Sequence, residues 1–153
     1  MNEKKAVIMM GIQASGKSSF CKERLNEGCV RISMDEVKTR NMEKKKLTEC
    51  IAKGSNIVVD NTNPTRDDRH RYIPVFRENG YRVIGYFMQS RVADCISRNE
   101  KRQEKAKVPA TAIAATSNKL EIPEYSEGFD ELYFVRLAEN DFIIERWEEE
   151  NEI

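Results

Sequence analysis

The residues with the clearest chemical potential form one run near the start of the chain, Gly-Ile-Gln-Ala-Ser-Gly-Lys-Ser, from Gly11 to Ser18. A run of the form G-x-x-x-x-G-K-[ST] wraps a phosphate with backbone N–H groups, and the helix that follows adds its positive N-terminal dipole. Lys17 is expected to reach the β- and γ-phosphates, and Ser18 to bind Mg²⁺. The run predicts a nucleotide site; the alternative is a glycine-rich turn without a ligand.

The predicted nucleotide contacts cover this whole run and the residue after it. Gly11 and Gly16 allow close approach of the backbone to a phosphate. ATP is expected rather than GTP, because the sequence holds no N-K-x-D element to bind guanine. The expected cofactors are therefore ATP and Mg²⁺. The expected cofactor-binding residues are Gly11, Ile12, Gln13, Ala14, Ser15, Gly16, Lys17, Ser18 and Ser19.

A first aspartate, Asp35, follows the predicted strand Cys29–Ser33. A kinase needs a carboxylate near the acceptor hydroxyl, to orient that hydroxyl and take its proton. Asp35 is placed for this role because ligands of open α/β sheets bind at the carboxyl ends of the strands, where the phosphate loop also lies. The alternative is that Asp35 caps a helix that starts near Glu36.

A second aspartate, Asp60, ends the predicted strand Asn56–Asp60. A carboxylate in this position would hold Mg²⁺ through water or orient the acceptor, so Ser18 and Asp60 are the expected metal residues. The polar turn that follows, Asn61 to Pro64, offers side chains to an acceptor site. Ordinary loop chemistry is the alternative for that turn.

A third cluster is cationic and extends from Arg98 to Arg102, with Arg91, Lys105 and Lys107 nearby. At helical spacing Arg98 and Arg102 share one face, so both side chains can stabilise charge on a transferring phosphoryl group. A solvated basic helix is the plainer interpretation. The break that follows at Val108-Pro109 favours a mobile lid over residues 91–123.

Strand and helix patterns alternate along the chain, which predicts a doubly wound α/β fold with a parallel sheet. The acidic stretch of residues 139–153 predicts a terminal helix docked by Phe142, Ile143 and Trp147. The expected strands are 6–10, 29–33, 56–60, 82–87 and 131–136; the expected helices are 18–26, 37–53, 66–79, with a possible kink at Pro74, and 92–105.

Bulk properties limit the class of protein. The 153 residues fit a single domain, and 26 basic against 26 acidic residues argue against a generic nucleic-acid-coating surface. The apolar run near the N-terminus has only five residues, too short for a signal sequence or a membrane span. We therefore expect a cytoplasmic protein without a membrane partner. The oligomeric state is left open.

Together the motifs Gly11–Ser18, Ser33–Lys38, Asp60–Asn63 and Arg98–Arg102 resemble the kinase domains of bacteriophage and bacterial polynucleotide 5′-hydroxyl kinases. The likeness runs from about Val7 to Pro109. It implies a P-loop NTPase three-layer sandwich with about five mainly parallel strands and helices on both faces. The fold would be similar to adenylate kinase, with a helical lid.

The resemblance also implies roles for single residues. Asp35 would be the general base for the 5′-hydroxyl, and Arg98 and Arg102 would contact phosphates from the lid. Family members carry an acceptor-binding arginine three residues beyond the base, where this chain has Lys38, and lysine lacks the bidentate geometry of arginine. The expected catalytic residues are Asp35, Lys17, Arg98 and Arg102; the expected acceptor-binding residues are Lys38, Asp60, Asn61, Thr62 and Asn63.

The leading interpretation is Mg²⁺-dependent transfer of the ATP γ-phosphoryl group to a hydroxyl, with a DNA or RNA 5′ end as first choice. A kinase for a metabolite, nucleoside or antibiotic is the second interpretation. An ATP-binding regulatory protein without catalysis is the third. Asp35 and the two arginines argue against the third, because a sensor has no need of an acceptor base.

Overall fold

The structure is a computed structural model that describes residues 3–25, 28–139 and 141–148. Its strands are β1 (Lys5–Met10), β2 (Cys29–Ile32), β3 (Asn56–Val59), β4 (Arg82–Met88), β5 (Glu131–Ala138) and β6 (Asp141–Arg146). Its α-helices are α1 (Lys17–Phe20), α2 (Met34–Val37), α3 (Arg40–Ala52), α4 (Arg66–His70), α5 (Ile73–Glu78), α6 (Val92–Glu100) and α7 (Ala110–Lys119). A π-helical turn spans Cys21–Leu25 and a 3₁₀ turn spans Tyr125–Glu127.

The described strands form one sheet in the order β2-β3-β1-β4-β5-β6. The first five are parallel, and β6 runs antiparallel to β5. The α/β fold with a mainly parallel sheet and helices on both faces is thus confirmed. The sheet has one strand more than the five that the sequence predicted.

The central strand β1 is buried on both faces of the sheet. Ile8 and Met10 pack into a core that α3 and α5 cover. Val7 and Met9 point the other way, into a core that includes Phe20 at the end of α1. This two-sided burial explains why the strand is a continuous apolar run rather than an alternating one.

The sheet brings the three motifs to one edge. In the parallel register Ile8 pairs with Val59, and Ile32 pairs with Val59 from the other side. The chain segments that leave β1, β2 and β3 at their carboxyl ends therefore begin side by side. These segments are the phosphate loop, the Ser33–Lys38 motif and the Asp60–Asn63 turn.

Two predicted helices are divided in the structure. The helix predicted for residues 37–53 begins earlier, because Ser33 caps α2, and it is interrupted at Lys38, whose φ is 70°. Thr39 then caps α3. The helix predicted for residues 66–79 breaks before Pro74, which has no N–H group for an interior helix bond and lies in the first turn of α5.

Two other helix boundaries also differ. The helix predicted for residues 18–26 is regular only from Lys17 to Phe20 and widens into the π-helical turn, while residue 26 lies outside the described residues. The helix predicted for residues 92–105 ends at Glu100. Its end coincides with a side-chain bridge from Asn99 to the backbone of Val108, described below.

The terminal helix predicted for residues 139–153 is wrong for the part that the structure describes. Residues Asp141–Arg146 form β6, in which Phe142 pairs with Leu137 of β5. Phe142 is buried with its ring edge-on to Phe20, at 5.2 Å between centroids. Pairing with β5 and this burial outweigh the helix preference of the nearby glutamates. Residues 149–153 lie outside the described residues.

No helix in the described ranges combines the length and the apolar character that crossing a bilayer requires.

Candidate active site

The phosphate loop has the backbone shape that its glycines allow. Gly11 has a φ of 144° and Gly16 a φ of 100°. A Cβ atom on Gly11 would lie 2.7 Å from Ser15 Oγ and 3.1 Å from Met88 Cβ, so only glycine fits there. Neighbouring segments anchor the loop through two N–H groups: Gly11 donates to the Thr62 carbonyl (3.0 Å) and Ile12 to Ser90 Oγ (3.1 Å).

Lys17 is folded into this loop. Its Nζ donates to the carbonyls of Gly11 (3.0 Å) and Ile12 (2.8 Å), and the side chain is buried. Burial lowers the pKa of Lys17 to about 8, although the charge of Asp60 opposes that change. A cation in this place attracts phosphate oxygens strongly, because water cannot screen it there.

Ser18 and Asp60, the two residues predicted to bind metal, are in contact with each other. Ser18 Oγ donates to Asp60 Oδ2 at 3.1 Å, and Asp60 is only 5% exposed. A hydroxyl and a carboxylate are hard oxygen ligands of the kind that Mg²⁺ prefers, with the remaining positions left for water and substrate phosphates. The donor set at the foot of the phosphate loop therefore fits Mg²⁺.

Arg31 of β2 lies beside this pair, and sequence reasoning missed it. Its Nε donates to Asp60 Oδ2 at 2.7 Å and its Nη2 to Ser18 Oγ at 3.3 Å, while Nη1 contacts Glu36. Its place on the strand before Asp35 was the only available signal. A protein cation thus contacts both groups that fit the metal.

Asp35 lies in α2 and is exposed at the edge of the sheet. The cap of α2 is Ser33, whose Oγ accepts the N–H of Asp35 at 3.2 Å, so the alternative that Asp35 itself caps a helix is wrong. Within the described ranges the carboxylate of Asp35 has no hydrogen-bond or ion-pair partner. It is free to accept a bond from an incoming hydroxyl.

Asn61 joins α2 to a buried polar network. Its Oδ1 accepts the N–H of Met34 at 2.9 Å, and its Nδ2 donates to Glu43 Oε2 and to the Tyr72 hydroxyl, both at 3.2 Å. Tyr72 in turn donates to Glu43 Oε2 at 2.8 Å, and Arg40 donates to Glu43 Oε1 at 2.8 Å. The network fixes the start of the short helix that carries Asp35. Glu43 and Tyr72 were not predicted, because their partners are distant in the sequence.

Thr62 and Asn63, which follow Asn61 in the turn, form bonds to the backbone of neighbouring segments. Thr62 supplies the carbonyl that anchors Gly11, and the Asn63 side chain donates to the Met9 carbonyl at 2.8 Å. The fully buried guanidinium of Arg69 donates to the Asn63 carbonyl at 3.1 Å and pairs with both carboxylate oxygens of Glu127 at 2.7 and 3.1 Å. These bonds of Arg69 and Asn63 hold the turn in one conformation.

The two arginines of the predicted lid lie in different places. Arg98 is in α6, and its Nε donates to the Ala14 carbonyl of the phosphate loop at 2.7 Å. Arg102 lies beyond the end of α6, so the expected shared helical face is wrong. Asn99 holds the intervening loop, since its amide donates to the Val108 carbonyl at 2.6 Å and accepts the Val108 N–H at 3.1 Å.

One cleft of about 970 Å³ brings most of these groups together. Its lining includes seven lysines and arginines but only three aspartates, in a chain whose formal net charge is zero. The guanidinium of Arg98 is occupied at Ala14, and Arg98 is absent from the lining. The predicted site residues that line the cleft are Gln13, Ala14, Lys17, Ser18, Ser19, Asp35, Lys38, Asp60, Asn61, Thr62, Asn63 and Arg102.

Comparison with known proteins identifies the family of this chain and supports its fold. A family model described as "AAA domain" matches residues 7–123. A bifunctional polynucleotide phosphatase/kinase of Schizosaccharomyces pombe is 27% identical over 132 residues, covering 80% of this chain and 31% of its own length. A protein of Acanthamoeba polyphaga mimivirus that carries a similar description is 29% identical over 137 residues, covering 85% of this chain and 32% of its own length. The chain thus spans about a third of these relatives.

Among solved structures, a chain of the Pnkp1/Rnl/Hen1 RNA repair complex aligns with a TM-score of 0.64 and 21% sequence identity. The alignment covers 78% of this chain and 45% of that chain. This likeness is one of fold. Together with the named relatives, it agrees with the resemblance that the motifs gave.

Proposed function

The chain belongs to the AAA domain family of P-loop proteins, and from that membership we propose that it transfers the γ-phosphoryl group of ATP to a hydroxyl acceptor. The acceptor of first choice is the 5′-hydroxyl end of a DNA or RNA strand. The two relatives described as polynucleotide phosphatase/kinases support this choice. Because the chain spans only about a third of each, their whole activity is not carried over.

The proposed mechanism assigns each group a step. Backbone N–H groups of the phosphate loop hold the β-phosphate, and Lys17 moves its N–H donors from the loop carbonyls to the β- and γ-phosphate oxygens. Asp35 accepts the proton of the acceptor hydroxyl while the oxygen of that hydroxyl attacks the γ-phosphorus. The bond between the γ-phosphorus and the bridging oxygen breaks, and that oxygen leaves with ADP. Ser18 and Asp60 would hold Mg²⁺, which would supply charge neutralisation at the phosphates. Arg102 stabilises the charge that develops on the transferring group.

The observation that carries this proposal is the carboxylate of Asp35. It lies unpaired on the wall of the same cleft as Lys17, at the sheet edge where the phosphate loop begins. A protein that only senses ATP has no use for an unpaired carboxylate next to the γ-phosphate, because like charges repel there. The cationic lining supports an acceptor that itself carries phosphate.

A kinase for a small molecule is the second candidate. The observation in its favour is Lys38, which lines the cleft where an arginine would be expected for a polynucleotide phosphate. Lys38 directly follows the helix of Asp35, which ends there because the φ of Lys38 is positive. A single lysine suits a compact anion or a sugar hydroxyl as well as a phosphodiester.

The test is transfer of labelled γ-phosphate from Mg-ATP to a panel of acceptors. The panel holds 5′-hydroxyl DNA and RNA oligonucleotides, nucleosides and common metabolites. Asp35→Asn is compared with Asp67→Asn, an exposed aspartate of α4 that does not line the cleft. We expect label on an oligonucleotide, a loss of at least a hundredfold in Asp35→Asn, consistent with the 10²–10⁴-fold of general-base catalysis, and little change in the control.

Three outcomes would contradict this proposal or one part of it. Label on a small molecule alone supports the second candidate. Label on no acceptor, with ATP still bound, supports a regulatory protein. Transfer that survives Asp35→Asn undiminished removes Asp35 from the mechanism.

A further inference from the structure

A second cavity opens beside the acceptor end of the cleft. It has a volume of about 430 Å³ and lies between α3 and the segment formed by the end of α4 and α5. We call it the α3–α5 groove. Arg40 lines both the groove and the cleft, so the two spaces meet at this side chain. The groove therefore continues away from the reaction site, beyond Asp35.

The floor of the groove is apolar. Leu47 and Ile51 come from α3 and are half-buried, while Val75 of α5 is 43% exposed. The spacing of Leu47 and Ile51 places them on one stripe of α3. The exposed Val75, on the α5 side of this floor, leaves apolar surface that no other described segment covers.

The rim of the groove is cationic. Lys44 and Arg71 line opposite sides, both are exposed, and neither forms an ion pair within the described ranges. The one acid of the groove, Glu43, is buried and already accepts bonds from Arg40, Tyr72 and Asn61. The free charge of this groove is therefore positive.

Unpaired cations above an apolar floor match a single-stranded nucleic acid. Its phosphates form a regular line of negative charge, and its bases bury apolar faces without any requirement for a given sequence. A hydrophobic peptide would leave Lys44 and Arg71 without partners. A free phosphate or nucleotide would leave the floor uncovered.

We propose that the α3–α5 groove binds the nucleotides that follow the 5′-terminal one in a polynucleotide acceptor. Their bases rest on Leu47, Ile51 and Val75, and their phosphates contact Lys44 and Arg71. This inference rests on the proposed function, since it identifies the acceptor as a strand of several nucleotides. The proposal places these nucleotides on α3 and α5, away from the predicted lid of residues 91–123.

The first test measures, by fluorescence anisotropy, the binding of single-stranded 5′-hydroxyl oligonucleotides. They are two to eight nucleotides long and carry the label at the 3′ end. The Lys44→Gln/Arg71→Gln double variant is compared with wild type and with Lys45→Gln, an exposed lysine of the same helix outside the groove. Two phosphate contacts on a single strand contribute about −1.4 to the slope of log K against log salt concentration. Between 1 M and 0.1 M salt, this slope corresponds to a gain of roughly 25-fold in affinity. We expect the double variant to lose that much for the longer strands.

A second variant addresses the apolar floor. Val75→Glu introduces a carboxylate at an exposed position, so the fold should tolerate it, and we expect weaker binding through repulsion of the strand. Equal affinities and salt slopes for wild type, both groove variants and Lys45→Gln would overturn the proposal. So would failure of the wild type to bind any oligonucleotide at 50 mM salt.

Phosphoryl transfer to the same oligonucleotides separates this inference from the proposed function. Groove-dependent binding without transfer leaves the groove assigned and removes the polynucleotide as phosphoryl acceptor. Transfer to an oligonucleotide with no effect of the groove variants on its binding retains the kinase proposal and removes the groove.

Discussion

Arg31 and Asp60 form an ion pair in which Nε of the guanidinium lies 2.7 Å from Oδ2 of the carboxylate. Asp60 is buried at the foot of the phosphate loop, and Ser18 donates to the same carboxylate oxygen. The pair orients a buried carboxylate before any divalent ion binds. It also places a positive charge next to the groups that fit Mg²⁺.

Removing that charge should strengthen divalent-ion binding. Two unit charges 4 Å apart interact by about 1 kcal/mol in water and about 4 kcal/mol near a protein surface, so Arg31→Gln should lower the Mn²⁺ dissociation constant by at least about fivefold. Electron paramagnetic resonance of Mn²⁺ titrated into the ADP complex measures this constant. Arg24→Gln, which removes an exposed ion pair with Asp141, is the control. An unchanged or weaker Mn²⁺ affinity in Arg31→Gln would contradict the prediction.

Nucleotide binding should take up a proton above neutral pH. Burial lowers the pKa of Lys17 to about 8, so part of the population is neutral at pH 8 and above in the free protein. Phosphate contacts favour the charged form, so ADP affinity should fall as pH rises past this value. Calorimetry in buffers of different ionisation enthalpy should show more proton uptake at about pH 8.5 than at about pH 7. Equal uptake at both would mean that Lys17 is charged throughout.

Asn61 should act on catalysis through the position of Asp35. Asn61→Ala leaves the Met34 N–H without its acceptor and removes a donor from Glu43, which costs about 1–3 kcal/mol of unfolding free energy. A displacement of α2 by about 1 Å should lower kcat by roughly tenfold to a hundredfold while KM for ATP changes little. Steady-state kinetics measure both constants. Asn118→Ala, an exposed asparagine of α7, is the control, and parallel changes in kcat and KM would contradict a positioning role.

Arg69 and Arg66 offer a matched comparison of buried and exposed ion pairs. Arg69 is fully buried, and its loss removes the ion-pair partner of Glu127 and leaves two carbonyls without a donor, which should cost about 3–5 kcal/mol. Arg66 pairs with Glu124 at the surface, where a pair contributes roughly 0–1 kcal/mol. Urea unfolding of Arg69→Met and Arg66→Met gives both values. Similar midpoints for the two variants would show that Arg69 does not hold the turn.

The motifs of the site were predictable because their chemistry is local. The spacing from Gly11 to Ser18 identifies the loop in the sequence without reference to other segments, and the positions of Asp35 and Asp60 follow from the ends of parallel strands. Arg31, Glu43 and Tyr72 were missed because they take part in contacts such as Arg31–Asp60 and Tyr72–Glu43, which join residues 29 positions apart in the sequence. No periodicity encodes such pairs.

The errors in secondary structure have the same origin. Glutamates after Phe142 favour a helix locally, yet β5 offers an open edge on which this segment forms six paired positions. The end of α6 is likewise decided from outside, since Asn99 bonds to the backbone of Val108 nine residues away. Local propensity is overridden where a tertiary partner is available.

The anchors of the phosphate loop also set an order of events during synthesis of the chain. The loop leaves the ribosome before Thr62 and Ser90, the residues that hold its Gly11 and Ile12 N–H groups. A nascent chain that ends before Ser90 carries the complete motif without the β4 side of its support, and such non-local contacts form late. Arrested chains that end before Ser90 should not be retained on immobilised ATP, whereas released chains that extend through residue 153 should be. Retention of the short chains would mean that the motif shapes itself.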